Sequence, residues 1–232
     1  MPSLLLSFET SSSVCSVALH QLSSGILVGQ TELRLEKSHS SHLSMLVSQL
    51  LANSQHTMQD VAAVAVSDGP GSYTGLRIGA AAAKGLCFAL DIPLVAVSTL
   101  QALARQVAAS TAPIKNLLFC PMLDARRREV YAALYTYAGQ EVLAPTPLLL
   151  DSDTLAEQLA HHHLLCFGSG AAKFQILIEN SSNVSFLAGV EPSAVAVGTL
   201  AIEAYRRGEF RDVAYYEPFY LKEVYTTTPK VK

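Results

Sequence analysis

Glu9-Thr10-Ser11-Ser12-Ser13 sets one carboxylate against a run of hydroxyls at the end of an apolar segment. Farther on, Asp68-Gly69-Pro70-Gly71-Ser72-Tyr73-Thr74-Gly75 places three glycines ahead of what reads as a helix. A carboxylate, hydroxyls and a glycine loop at a helix N-terminus are the parts of a phosphate grip, because free backbone N–H groups and the helix dipole favour an anion. Glu9, Thr10, Ser11, Gly69, Gly71 and Ser72 are therefore the candidate phosphate-binding set. The same residues also suit two tight turns, since glycine and serine are ordinary turn formers. The spacing is not that of a P-loop, which needs GxxxxGK followed by Ser or Thr. Gly168-Ser-Gly-Ala171 poses the same pair of readings in the second half.

Other groups offer less. His39 with His42, and His161 to His163, look like metal ligands, but neither group brings a third ligand at a familiar spacing. Solvated histidines at helix ends are the simpler reading. The many serines lack a GxSxG elbow, and no Cys, His and Asp or Asn set carries a local signature of nucleophilic catalysis. The densest charge run, Arg126-Arg127-Arg128-Glu129, reads as a solvated strand entry or as a dock for an acidic partner or a phosphate. Gly75, Gly79, Ala82 or Ala83 and Leu86 form a stripe of small residues on one helix face. Such a stripe lets another helix approach closely, from the same domain or from a partner.

Composition narrows the classes. Half of the 232 residues are hydrophobic and 15% are charged, with a formal net charge of -3. Such a chain can bury one large core, or two units of about a hundred residues each, without disulfide or metal staples. The negative balance supplies no field that would draw the protein alone onto a nucleic-acid backbone. Cys15, Cys87, Cys120 and Cys166 sit in apolar surroundings without CxxC spacing, as reduced, buried thiols of a cytoplasmic protein do. The N-terminal run lacks a basic region, and no apolar stretch reaches the roughly 18 residues of a membrane span, so neither export nor membrane insertion is expected.

The elements that must position these residues follow a definite order. Runs of β-type composition at 4–8, 14–19 and 25–34 read as an antiparallel meander. Leu43, Leu46, Val47, Leu50 and Leu51 recur at helical spacing over 39–54, with Ser38 or Ser40 as the cap. The wholly apolar run 61–67 reads as a strand buried on both faces. It feeds the glycine loop, a helix over 76–90, a strand over 93–97 and a helix over 100–108. This βββαβαβα order is that of a ribonuclease-H-like unit, as used by the actin and hexokinase group. Beyond Thr111-Ala-Pro113 the pattern restarts, with strands at 116–124, 129–137 and 142–150. A helix at 152–161, a strand and turn through 166–174, a helix to 180, a short strand near Phe186 and a last helix at 193–207 complete it. The expectation is an α/β, actin-like fold of two related subdomains with mixed sheets, divided into 1–110 and 111–232. The tail from Tyr215 onward should pack in extended form and then run loose.

Four segments, LSFETSSSVCSVAL, SDGPGSYTGLRIGAAAAKGL, PLVAVSTLQALA and MLDARRREVYAALY, together resemble the TsaB (YeaZ) family, from the N-terminus through Tyr135. EPFYLKE resembles that family's closing stretch. Tyr73 stands where the family usually has Phe, and Glu9 where it often has Asp. The resemblance implies an actin-like fold and a non-catalytic subunit of tRNA N6-threonylcarbamoyladenosine modification that binds and activates the transferase TsaD. It implies TsaE as the ATPase that joins the two, TsaC as a transient partner, tRNA met only within the complex, and a homodimer when alone. TsaD carries a metal-binding HxxxH pair, whereas His39 and His42 are spaced HxxH. The implied partner-binding residues are Leu43, Leu46, Val47 and Leu50 of one helix and Gly75, Arg77, Gly79 and Ala83 of the next. No cofactor is implied, and a nucleotide would sit only at a subunit interface. An older glycoprotease-like peptidase label for the family finds no support in these residues. The rival reading is an ATP-binding actin-like enzyme, an ATPase or a small-molecule kinase, gripping phosphate with Glu9, Thr10 and the Gly69 to Gly75 loop.

Overall fold

Two five-stranded mixed sheets form the frame, seen in a computed structural model that describes residues 3–35, 39–178 and 182–222. The first sheet is built from β1 (Leu4–Glu9), β2 (Val14–Gln21), β3 (Leu27–Arg34), β4 (Val61–Gly69) and β5 (Leu94–Ser98). Its order is β3-β2-β1-β4-β5, with the β1–β2–β3 meander antiparallel and β4 and β5 parallel to β1. The second sheet comprises β6 (Leu117–Asp124), β7 (Glu129–Tyr135), β8 (Glu141–Leu149), β9 (His163–Phe167) and β10 (Val184–Leu187). Its order, β10-β9-β6-β7-β8, repeats the first strand for strand, again with one antiparallel meander and two parallel additions. The fold is therefore α/β and actin-like, with two topologically related sheets.

Alternation decides which helix covers which face. Leu4, Leu6 and Phe8 of β1 and Val64 and Val66 of β4 point into one core with α1 (His39–Asn53) and α2 (Tyr73–Leu90). Leu5, Ala63 and Ala65, on the opposite face, meet α6 (Ala194–Arg206) through Ala196, Val197, Leu200 and Ala201. The small side chains on both sides let this helix lie close: a Cβ on Gly198 would collide with the His20 ring. Ser7 Oγ donates to Ala194 O at 2.8 Å, and Ser16 Oγ accepts from Ala194 N at 3.1 Å, fixing the start of α6 on the sheet. In exchange, α3 (Thr99–Ala108) sends Leu100, Leu103, Ala104 and Val107 into a core with Phe119, Tyr135 and Phe167 of the second sheet.

This exchange crosses the division at residue 110. The boundary separates the two sheets, but the helix 99–108 packs on the second sheet and the helix 194–206 packs on the first. Each sheet is apolar on both faces, and its own local helices cover only one of them.

Several element ends also differ from expectation. The second helix starts at Tyr73, because Ser72 Oγ accepts from Gly75 N and caps it. The helix expected over 152–161 is only α4 (Ala156–His161), since Thr154 Oγ1 and Asp151 close a polar turn ahead of it and Leu155 takes φ 61°. The helix expected to reach 180 is α5 (Ala171–Gln175). Ser38, one of two expected caps of α1, lies outside the described residues, and Ser40 lies within the helix. The tail forms a turn at 213–215 and then runs as irregular backbone through 222, and 223–232 lie outside the described residues. Among the described residues no helix is long and apolar enough to cross a membrane.

Candidate functional site

The candidate phosphate set does come together, but it closes upon itself. Glu9 at the end of β1 is fully buried. Its Oε1 accepts from Ser11 N at 2.6 Å and from Ser67 Oγ at 3.0 Å, while Oε2 has no partner among the described residues. Burial raises the pKa of this carboxyl above the ordinary value, and the hydrogen bonds from Ser11 and Ser67 only partly oppose it. An enclosed carboxyl is poorly placed to reach a metal ion. Its neighbours Thr10 and Ser11 are also buried, and their hydroxyls have no partner among the described residues.

The glycines explain the closure. A Cβ on Gly71 would lie 2.6 Å from Ser11, one on Gly75 would collide with Thr10 O, and one on Gly79 with Thr10 Oγ1. Ser72 N donates to Ser11 O at 2.6 Å. The start of α2 is thus pressed backbone to backbone against the β1–β2 turn. Gly69 takes φ +110° and lies beneath Phe219 O, so its freedom serves the approach of the tail. The glycines that looked like room for a phosphate are the means by which two turns and a tail interlock.

What remains open is a cleft of about 1840 Å³ between the sheets. One wall is Ser11 to Ser13 with Pro70 to Leu76, and the other is the β6–β7 hairpin from Leu123 to Glu129. Phe219 to Lys222 run along it. The tail is held by Phe219 N donating to Asp68 O at 2.8 Å and by Tyr216 OH donating to Asp68 Oδ1 at 3.0 Å. Lys84 Nζ donates to the Ala214 and Tyr216 carbonyls, Tyr220 packs on Tyr73 at 5.0 Å, and Lys222 pairs with Glu129. Asp68, Tyr216 and Lys222 were not foreseen as partners, because nothing in residue spacing brings 216–222 back to 68 and 129.

The histidines do not converge. His39 is buried, with Nε2 3.3 Å from Val14 O, and His42 Nδ1 lies 2.8 Å from Ser41 Oγ. His163 Nε2 lies 2.9 Å from Ser185 Oγ. Among the described residues, no group of three His, Cys, Asp or Glu side chains gathers as a metal ion would require. Gly168-Ser-Gly-Ala171 forms a packing turn: Cβ atoms on Gly168 or Gly170 would clash with Met122 O, Val130 and Leu123.

The residues expected to meet a partner are mostly core. Leu43, Leu46, Val47 and Leu50 are all 5% exposed or less and pack beneath α1. Gly75, Gly79 and Ala83 are buried beneath α2, and of this set only Arg77 is exposed, donating to Tyr73 OH at 2.7 Å. An amphipathic helix turns its apolar stripe to its own sheet first. The outward side is a different set: Met45 and Ser48 on α1, and Ala81, Gly85, Phe88 and Ala89 on α2. Phe88 is 85% exposed. α1 carries no acidic residue, lysine or arginine, and α2 carries only Arg77 and Lys84.

Comparison with known proteins gives this surface and cleft a context. Residues 33–223 match the family model described as "TsaD: tRNA N6-adenosine threonylcarbamoyltransferase". The tRNA threonylcarbamoyladenosine biosynthesis protein TsaB of Haemophilus influenzae is 29% identical over 96% of this chain and 94% of its own length. The TsaB protein of Bacillus subtilis is 38% identical over 57% of this chain, a match that spans 55% of that relative. A solved Pseudomonas aeruginosa structure, of an uncharacterized protein with similarity to peptidase YEAZ, superposes with a TM-score of 0.81 at 30% identity. That superposition covers 95% of this chain and all of the other. A ROK family transcriptional regulator aligns with a TM-score of 0.51 at 10% identity, a likeness of fold alone that agrees with the actin-like class. With duplicated sheets, a matching family model and near full-length relatives in agreement, the chain belongs to the TsaB (YeaZ) family, within the wider group described by the TsaD threonylcarbamoyltransferase model.

Proposed function

We propose that this protein is a cytoplasmic, non-catalytic subunit in tRNA threonylcarbamoyladenosine formation, and that it docks a TsaD subunit through the outward side of α1 and α2. The observation that carries this reading is the exposed, nearly uncharged helix layer centred on Phe88. Small residues at Ala81, Gly85 and Ala89 surround that ring, so a partner helix can approach closely and desolvation of charge costs little. The buried Glu9 and the interlocked glycine loop support a scaffold over an ATP-hydrolysing enzyme, because the carboxyl is enclosed and the loop is packed against the β1–β2 turn. The names of the relatives support the pathway, and the match to the TsaD model is consistent with a TsaD subunit as the partner. The same face would pair two copies of the chain in isolation, with TsaE and tRNA joining only the assembled complex.

The test is co-elution with TsaD, together with threonylcarbamoyl transfer to tRNA in a mixture that also holds TsaE and the TsaC product. Phe88→Glu and Ala81→Arg should each abolish both while leaving the melting temperature of the chain near that of the parent. Retention of complex and transfer by both variants would sink the docking face, and transfer without this protein would sink the role itself.

A further inference from the structure

We propose that α6 is an acid-released clasp: when His20 takes up a proton beneath the helix, α6 leaves the first sheet and the two halves stay joined through α3 alone. The device lies on the other side of that sheet from α1 and α2, so it is separate from the docking face and goes beyond the role proposed above.

The seat of α6 is built from small and polar groups. Beneath α1 and α2 the sheet offers Leu4, Leu6, Phe8, Val17 and Leu19. Beneath α6 it offers Leu5, Ala63 and Ala65, together with the buried polar residues Ser7, Ser16 and His20. The helix answers with Ala194, Ala196, Gly198 and Ala201. Alanines and a glycine bury little apolar area, so polar groups weigh more in holding this helix than in holding α1. Ser7 and Ser16 hydrogen-bond its first residue, Ala194. His20 is 1% exposed, and its Nδ1 has no partner among the described residues. That ring edge meets the helix backbone, since a Cβ on Gly198 would lie 2.4 Å from Nδ1 and 2.5 Å from Cε1.

A neutral imidazole tolerates this slot, and an imidazolium does not. The charged ring donates from both nitrogens, and a buried charge needs a counter-ion. Among the described residues the carboxylates around it are otherwise engaged. β1 and β3 set Leu5 and Leu27 beside His20. Glu9, at the far end of β1, accepts from Ser11 N and Ser67 Oγ. On α6, Glu203 pairs with Arg105 of α3, and on β3, Glu32 pairs with Arg34. Arg206 of α6 donates to Ser23 O at 3.0 Å, which puts a cation at the same end of the hairpin as His20. Burial holds the His20 pKa below its ordinary 6.5. The folded chain therefore binds fewer protons than the unfolded one. Stability from this ring is complete above about pH 6.5 and is lost as pH falls through the folded value.

Amide hydrogen exchange of the full chain is followed by mass spectrometry at pH 7.5, 6 and 5, with intrinsic exchange rates divided out. In the parent, protection of 194–206 should fall by about tenfold per pH unit below 6.5 until the folded value is passed, as one differentially bound proton requires, while 39–53 stays protected. His20→Gln and His20→Phe do not titrate and should remove that pH dependence. His161→Gln, at the exposed end of α4, should leave it in place. Titration of the His20 ring by NMR in the parent keeps the test decisive if both His20 variants fail to fold: the ring should titrate below 6.5, together with the loss of protection. Equal loss of protection in 39–53 and 194–206, pH dependence retained in both His20 variants, or a ring that titrates at 6.5 or above overturns the clasp.

Discussion

Glu9 shows how a residue with catalytic credentials can be turned to structural use. Its carboxyl is fully buried, and that burial raises its pKa from the ordinary 4.5 despite the hydrogen bonds from Ser11 and Ser67. The folded state therefore holds a proton that the unfolded chain releases at lower pH. Stability from this group is complete below about pH 4.5, the unfolded value, and is lost as pH rises towards the folded value. Glu9→Gln keeps an acceptor for Ser11 N and Ser67 Oγ and removes the titration. Urea unfolding at pH 5 and pH 8 should show the Gln variant gaining on the parent as pH rises. A constant difference between the two proteins would mean that Glu9 is ionised in the fold. The type of residue and its place at the end of a strand were legible in the sequence, but its burial was not, because that depends on the approach of β4, whose Ser67 lies fifty-eight positions along the chain.

At the scale of the helix, α2 separates two uses of glycine that look alike in sequence. Gly75 faces the Thr10 backbone, where an added methyl group has nowhere to go, so Gly75→Ala should cost about 1–3 kcal/mol, as overpacking does. Gly85 has nothing within 4 Å of its missing Cβ and sits in an exposed helix interior, so Gly85→Ala should stabilise by about 0.5–1 kcal/mol. Opposite shifts of the urea midpoint with an unchanged slope would confirm the pair, and shifts of equal sign would contradict the packing. Helical spacing identified α1 because Leu43, Leu46, Val47 and Leu50 recur at a period near 3.6. The same periodicity points to the buried face of α1. A stripe of leucines marks the face a helix buries, and in this chain the helix's own sheet claims it. The partner-facing candidates, Ala81, Gly85 and Phe88, stand at helical spacing but are two small residues and one isolated ring, without the run of large apolar side chains that marks a face in sequence.

Over the whole molecule, the exchange of α3 and α6 makes the two sheets one cooperative structure. The order of strands within each half was readable, because each strand is set by local alternation and its neighbours follow in the chain. The crossing helices were not, because both are amphipathic and either sheet offers an apolar face. The consequence can be tested with fragments. Residues 1–110 retain all five strands of the first sheet but lose α6, leaving Leu5, Ala63, Ala65, Val95 and Val97 uncovered. Residues 111–232 lose α3, uncovering Phe119, Tyr135 and Phe167. Each fragment alone should bind a hydrophobic dye and unfold without a sharp urea transition, as a sheet with a bare apolar face does. Mixing the two should restore a single cooperative transition and quench the dye, because the exchanged helices then find their sheets. If 1–110 alone unfolds cooperatively with the midpoint of the intact chain, the exchange contributes nothing to stability, and the halves are independent domains as their sequence order suggests.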